Sequence, residues 1–115
     1  MLVESPDYRV HFDAAKNMVY FHGSLRLNAM LEYAPINQLL DEVAKRNAGG
    51  EVHLDLCQLE FLNSSGINML YQFVVRIRKG GSTQLHVLGS NTIAWQQKSL
   101  GNMIRFMPSL KLELQ

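Results

Sequence analysis

The amino-acid sequence predicts an α/β fold in which helices pack against a mixed sheet. Strand-like apolar segments alternate with amphipathic helical segments along most of the chain, which is typical of a mainly parallel sheet. The first two strand-like segments are joined by the short stretch Asp13–Asn17, which favours an N-terminal antiparallel hairpin. The predicted order is ββαβαβα(β). We therefore expect a four- to five-stranded mixed sheet with about three to four helices packed against it, in a single domain, residues 1–115.

The composition is that of an ordinary globular domain. The chain has 115 residues, of which 47% are hydrophobic and 18% are charged. Its net charge of +1 gives no reason to expect nucleic acid or an anionic membrane as a partner. The single cysteine, Cys57, cannot form an internal disulfide, which favours a reducing compartment. Because no signal peptide or membrane span is recognisable, we expect a cytoplasmic protein.

Two strands and one helix are predicted in the first 50 residues. Tyr8–Phe12 alternates apolar and polar side chains, as a half-buried strand does. Met18–Leu25 is rich in residues that favour strands and completes the hairpin. From Ala34 onward apolar residues recur at helical spacing, with Pro35 in the first turn, where proline is tolerated. Gly49–Gly50 follows this helix and can terminate it.

The middle of the chain predicts a strand that leads into a helix. Val52–Cys57 is a short apolar strand, and Gln58–Leu62 is predicted to be a tight connection. Ile67–Lys79 then carries one apolar stripe and a basic last turn, which suits the negative end of a helix dipole.

The last third repeats this alternation. Gln84–Leu88 is a further short strand. Asn91 is predicted to cap a third helix, Thr92–Met103. Leu110–Leu114 is either a short edge strand or a terminal tail.

Two neighbouring hydroxyl groups are the principal candidate for function. Ser64 and Ser65 begin a helix just after a strand ends, and ligands and switches commonly lie there in α/β sheets. They can simply cap the helix, since serine is a preferred capping residue. Alternatively, one of them accepts a phosphoryl group, which would add about two negative charges at the positive end of the helix. Gly66 permits another backbone to approach closely.

Other reactive side chains do not form a recognisable catalytic or metal site. Cys57 is predicted to be buried and inert, and Asp55 has no histidine at a spacing that suggests a triad. No glycine-rich cofactor motif is present. We therefore expect no enzyme, no cofactor and no metal. The histidines all fall on predicted strands without the spacing of metal ligands: His11, His22, His53 and His86.

The central segment resembles a known family signature. Leu54–Leu56 is followed by apolar residues at Leu59, Phe61 and Leu62, and then by the run Asn63–Ile67. This order is similar to the pattern D-L-S-x-V-x-F-[IM]-D-S-S-G-L of STAS domains. These domains are the anti-sigma factor antagonists of bacterial partner-switching systems.

The resemblance extends beyond the central segment. Gly23–Leu25, with Ala34–Pro35 opening the next helix, resembles the G-E-L-D segment of the family and the helix after it. The similarity therefore runs from about Tyr8 to the third helix. It implies a STAS-like fold and a divergent, stand-alone regulatory module that binds proteins and has no catalytic activity.

The resemblance also implies a switch. Ser65, the second serine of the motif, would be phosphorylated by a partner serine kinase that acts as an anti-sigma factor, with Ser64 as the alternative. A PP2C-type phosphatase would reverse the modification, and the phosphorylated form would release its partner. A monomer or weak dimer is expected. The residues expected to contact the partner are Arg26, Asn28, Asn63, Ser64, Gly66 and Asn68.

Two positions depart from the family pattern. Asn63 replaces the aspartate before the two serines, and Arg26 replaces the aspartate that ends G-E-L-D. Both changes make the expected site more positive, which favours a partner other than the usual kinase of the family. An alternative function is the binding of a small anionic ligand or nucleotide at the same helix N-terminus. An enzyme with Ser65 as nucleophile ranks last because no base is visible.

Overall fold

The computed structural model describes residues 1–115 and contains a six-stranded sheet with three α-helices. The strands are β1 (Leu2–Ser5), β2 (Tyr8–Asp13), β3 (Met18–Leu25), β4 (Glu51–Leu62), β5 (Gln84–Gly89) and β6 (Lys111–Leu114). The helices are α1 (Ala34–Arg46), α2 (Ser64–Gly80) and α3 (Ala94–Phe106), preceded by a 3₁₀ helix at Met30–Tyr33. None of these helices is long and apolar enough to cross a membrane.

The order of strands in the sheet is the order of strands in the sequence. β1, β2 and β3 are antiparallel, whereas β3 to β6 are parallel, so the predicted hairpin and mixed sheet are confirmed. The expected number of four to five strands is wrong, because β1 adds an edge. β1 has only four residues, which are too few to show a clear alternation of apolar and polar side chains. It is held in the sheet by antiparallel pairing with β2, in which Val3 lies opposite Val10. The C-terminal segment is a strand rather than a tail, paired with β5.

β4 is longer than the sequence pattern indicates. The predicted connection Gln58–Leu62 is wrong, since those residues continue the strand. β4 shifts its register twice against β3, so the buried residues Leu56, Leu59 and Leu62 follow one another at intervals of three. Irregular pairing of this kind adds residues to one strand and breaks the period of two that identifies strands in a sequence.

The two faces of the sheet differ in character. The parallel strands follow one another in one direction across the sheet, so crossovers of the usual right hand place all three helices on the same face. That face contributes apolar side chains to a core of 25 buried hydrophobic residues. The opposite face, here called the helix-free face, carries half-buried and mostly polar side chains at the alternate positions. They include His11, Tyr20, His22, His53, Asp55, Cys57 and His86.

Side chains at the start of α3 make the hydrogen bonds to the second half of β4 that a neighbouring strand would otherwise make. Pairing between β4 and β5 ends at Asp55 and Leu88. Beyond it, the fully buried amide of Gln96 donates to the carbonyls of Leu56 (2.6 Å) and Leu59 (3.0 Å). Its oxygen accepts from the Ser90 N–H at 2.7 Å. Gln96 thus satisfies three backbone groups that no neighbouring strand reaches.

α3 begins differently from the prediction. Asn91 does not cap it; the residue before the helix is Ile93, which makes no side-chain capping bond. Asn91 instead fixes the C-terminus, with its backbone N–H donating to Gln115 (2.7 Å) and its amide to Leu114 (3.3 Å). Trp95 is half-buried, and its indole N–H donates to the backbone rather than facing a partner.

Candidate functional site at the start of α2

The candidate site lies where β3 and β4 end together and α2 begins. Leu25, the last residue of β3, pairs with Leu62, the last residue of β4. The N–H of Asn63 donates to the carbonyl of Leu25 at 3.1 Å. Because the two strands are parallel, Arg26 and Asn63 follow them at the same edge of the sheet.

Asn63 caps α2 and holds three segments together. Its side-chain oxygen accepts from the N–H of Gly66 (3.0 Å) and from the hydroxyl of Tyr33 (2.7 Å). Its NH₂ group donates to the carbonyl of Leu27 at 2.8 Å. The Gly66 N–H requires an oxygen opposite it, which fixes the orientation of the amide. Burial raises the pKa of Tyr33, so this hydroxyl remains a donor.

Asn63 is therefore used by the fold itself. An aspartate at this position keeps the two bonds to its oxygen but has no donor for Leu27. Sequence reasoning missed Tyr33 and Leu27, which lie some 30 positions away along the chain. The sequence did carry a signal for the cap, since an asparagine three residues before a helical N–H has the spacing of an N-cap.

We expect Asn63→Asp to lower the free energy of unfolding by about 2 kcal/mol at neutral pH. The reason is that a carboxylate oxygen then faces the carbonyl of Leu27, which loses its donor. Urea denaturation measures the difference. Asn68→Asp is the matched control, because Asn68 is exposed in the same helix and should shift stability by at most about 0.5 kcal/mol. Equal stability of Asn63→Asp and the parent chain would show that the Leu27 contact is unimportant.

The two serines are not the capping residues. Asn63 takes that role, and no side-chain hydrogen bond of the structure involves Ser64 or Ser65. Ser64 is exposed and Ser65 is half-buried. They occupy the first two positions of α2, whose first turn contains no acidic residue. The positive end of the helix dipole is therefore not neutralised by the chain itself.

Gly66 is required for internal packing. It is buried, and a Cβ at this position would lie 2.7 Å from the Tyr33 oxygen and would overlap the side chain of Leu62. The close approach expected from the sequence is thus made by these two side chains rather than by another backbone. Gly66 therefore supports the start of α2 from inside the protein and lies away from any surface that a partner could touch.

Exposed apolar side chains lie on the elements around the serines. Leu31 in the 3₁₀ helix is 84% exposed, and Phe61 near the end of β4 is 38% exposed. The guanidinium of Arg26 lies 4.6 Å from the centre of the Phe61 ring, a cation–π contact. No hydrogen bond or ion pair joins Arg26 to either serine, so its direct neighbour is the aromatic ring.

The exposed side-chain amides of Asn28 and Asn68 lie near the same helix N-terminus. The backbone N–H of Asn28 donates to the Glu32 carboxylate at 2.9 Å, which orders the segment before the 3₁₀ helix. The amide of Asn68 lies 3.9 Å from the sulfur of Met30, across the contact between this helix and α2. Both side chains are accessible to a partner. We use the term α2 corner for the exposed or half-buried residues Arg26, Asn28, Leu31, Phe61, Ser64, Ser65 and Asn68.

Three solved structures that contain SiaC of Pseudomonas aeruginosa are similar to this chain. SiaC of Pseudomonas aeruginosa matches with a TM-score of 0.70 and 10% identity, covering 100% of this chain and 98% of SiaC. The crystal structure of apo-SiaC matches with a TM-score of 0.71 and 12% identity over the same shares. The proteins share a fold. The third match, with a TM-score of 0.64 and 11% identity, is a chain in the complex of diguanylate cyclase SiaD with its activator SiaC; it covers 100% of this chain and 99% of that one.

These matches show the fold and leave the family open. No family model and no curated protein matches the sequence. The STAS resemblance is therefore not confirmed, although the mixed sheet with helices on one face is consistent with it. At 10–12% identity, no residue role passes from SiaC to this chain.

The pocket beside Arg26 does not favour an anionic ligand. It has a volume of about 230 Å³ and includes the carboxylate of Asp7 together with the Arg26 side chain. Neither serine lines it. Its lining residues are Ser5, Asp7, Tyr8, Ser24, Arg26 and Leu27.

The thiol of Cys57 is held in its neutral form. Burial, followed by the nearby charge of Asp55, raises the pKa of Cys57 to about 11. The thiol donates to the carbonyl of Gly89 at 3.3 Å, and its backbone N–H donates to Asp55 at 2.9 Å. A thiol of this kind is a poor nucleophile at neutral pH. Cys57 is half-buried on the helix-free face.

The four histidines form two stacked pairs on the helix-free face. The rings of His11 and His22 have centres 5.6 Å apart, and those of His53 and His86 are 4.3 Å apart. Only the second pair has a carboxylate beside it at ligand distance, from Glu51. The sequence did not predict this group, because His53 and His86 are 33 positions apart and are brought together only by the parallel pairing of β4 and β5.

Proposed function

We propose that this chain is a non-catalytic regulatory module that binds a protein partner through the α2 corner, and that phosphorylation of Ser65 ends this binding. The observation that carries the proposal is the cap at Asn63. It leaves both serine hydroxyls without a structural task at the positive end of a long helix. A hydroxyl placed in this way can be modified while the helix that carries it stays intact.

The electrostatics of the corner support a switch of this kind. A phosphoserine carries about two negative charges, which the helix N-terminus stabilises. The same charge lies on the surface that includes the exposed side chains of Leu31 and Phe61. A partner that buries these apolar groups must then remove a phosphate from water, which is costly. Modification therefore weakens binding far more than it weakens the fold.

The choice of Ser65 rests on the STAS resemblance, in which the second serine of the motif is the acceptor. Ser64 is the alternative acceptor, and its exposure is the greater of the two. From the same resemblance we propose a serine kinase of the anti-sigma type and a PP2C-type phosphatase as partners. The amide at Asn63 and the positive charge at Arg26 favour a kinase whose recognition does not depend on acidic residues at these positions.

The structural neighbours support a regulatory role in general terms. SiaC is an activator of the diguanylate cyclase SiaD and forms a complex with it. A chain with this fold can therefore act by binding another protein. The α2 corner also brings no acid or base into hydrogen-bonding contact with Ser65, which supports a non-catalytic module.

We expect Ser65→Asp to weaken partner capture at least roughly tenfold, while leaving thermal stability unchanged or slightly raised. Aspartate at the second position of α2 meets the positive end of the helix, which contributes about 0.5 kcal/mol of stability. The partner is captured from native lysate on the immobilised parent chain and identified, and its affinity for each purified variant is then measured. Ser65→Ala should bind like the parent.

The matched control is Ser82→Asp, which places the same charge just beyond the other end of α2. It should bind the partner normally. Mass spectrometry of the chain isolated from its host should find phosphate on Ser65 and not on Ser64. Equal binding by Ser65→Asp and Ser82→Asp would refute the switch, and turnover of any substrate that is lost in Ser65→Ala would refute the non-catalytic assignment.

A further inference from the structure

A cluster of nitrogen and oxygen ligands lies on the helix-free face at the start of β4. His53 pairs with His86 across the parallel strands, and their rings stack with an interplanar angle of 14°. Glu51 precedes His53 by two residues and so projects from the same face. One ligand atom from each of the three residues lies within 4.8 Å of the other two.

The contacts inside this cluster are incomplete. An oxygen of Glu51 lies 2.6 Å from Nε2 of His86 and 3.8 Å from Nε2 of His53. The buried Nε2 of His86 makes no hydrogen bond, although the carboxylate oxygen of Glu51 lies close to it. A buried polar nitrogen without a partner is uncommon and calls for an explanation. A cation between these atoms supplies one.

The cluster is both accessible and anchored. Its two imidazoles line a pocket of about 330 Å³, whose rim includes Lys111 and Glu113 on β6. The histidine side chains are 28% and 24% exposed, and a rotation of the His86 ring would turn its buried Nε2 toward this pocket. The start of β4 is fixed by Asn17, whose amide donates to the carbonyl of Glu51 at 3.1 Å.

We propose that Glu51, His53 and His86 bind a divalent transition-metal ion of the zinc class. Two imidazoles and one carboxylate provide three protein ligands, and water completes a tetrahedral shell. Ligand atoms around zinc lie roughly 3.3 Å apart, so side-chain rotations must bring the three groups closer together. Calcium and magnesium are disfavoured, since they prefer oxygen ligands. The site is independent of the proposed function and would join β4 to β5.

The test is a titration of the full chain with zinc chloride in buffer free of chelators, followed by calorimetry and thermal melting. We expect one ion per chain and a rise in melting temperature. His53→Ala, His86→Ala and Glu51→Gln should each weaken binding roughly tenfold or more. Should an alanine variant fail to fold, the glutamine variant at the same position replaces it. Cobalt bound in place of zinc should give the absorption spectrum of a tetrahedral site in the parent chain and in none of the variants at positions 51, 53 and 86.

The matched controls are His11→Ala and His22→Ala, which disrupt the other stacked pair on the same face. They should bind zinc like the parent, and magnesium should produce no shift in any variant. The proposal is overturned if the parent chain fails to bind zinc. It is also overturned if the variants at positions 51, 53 and 86 bind zinc as tightly as those at positions 11 and 22.

Discussion

Replacing Gln96 with leucine is expected to lower the free energy of unfolding by about 3 kcal/mol. The side chain is fully buried, and its amide bonds to Leu56, Leu59 and Ser90. Leucine is similar in size but has no polar atoms, so the carbonyl of Leu56 and the N–H of Ser90 lose their partners. Each buried backbone group left unpaired costs about 1–3 kcal/mol. The carbonyl of Leu59 keeps the indole of Trp95 at 3.2 Å.

Urea denaturation of the two leucine variants at neighbouring positions gives a controlled comparison. Gln97 is exposed in the same turn of α3, so Gln97→Leu should change stability by no more than about 0.5 kcal/mol. A loss below about 1 kcal/mol in Gln96→Leu would mean that water reaches these backbone groups. The stabilising role of the Gln96 hydrogen bonds to β4 and to Ser90 would then be wrong.

Replacing Gly66 with alanine should lower stability by about 2 kcal/mol, although alanine is the better helix former. The added methyl group overlaps Leu62 and presses on the Tyr33 hydroxyl, which is bonded to Asn63. Three parts of the corner must therefore move together. Thermal melting and urea denaturation measure the loss.

Gly80→Ala, near the other end of the same helix, provides a control with the opposite sign. Nothing lies within 4 Å of a Cβ at position 80, so the helix gains about 0.5–1 kcal/mol from the better helix former. If both alanine variants are stabilised, Gly66 is not tightly packed. The role of Tyr33 in supporting the α2 corner would then have to be revised.

Local patterns in the sequence predict most of the framework. The alternation in β2 and the helical spacing in α1 and α2 arise from burial on one side, which a period of two or 3.6 records directly. β1 was not predicted because its four residues are too few to show an alternation of apolar and polar side chains. The end of β4 was not predicted as a strand because its register shifts place the buried residues at intervals of three instead of two.

The candidate site could be predicted only in part, for a physical reason. The serines and the start of α2 are adjacent in sequence, so a motif identifies them. The roles of Asn63 and of the cluster at Glu51 depend on partners brought close by folding: Tyr33 in one case and His86 in the other. A single sequence carries no local signal for such contacts between distant segments.

The agreement between strand order and sequence order has a consequence for how the chain folds. Each strand pairs with the strand made just before it, so the sheet can grow by addition at one edge and no strand must insert between two others. Short turns join β1 to β3, and a single helical crossover joins each later pair, so every pairing step closes only the segment that follows the preceding strand. On the ribosome, the meander of β1 to β3 can form first, and every later helix and strand then finds its docking edge already present.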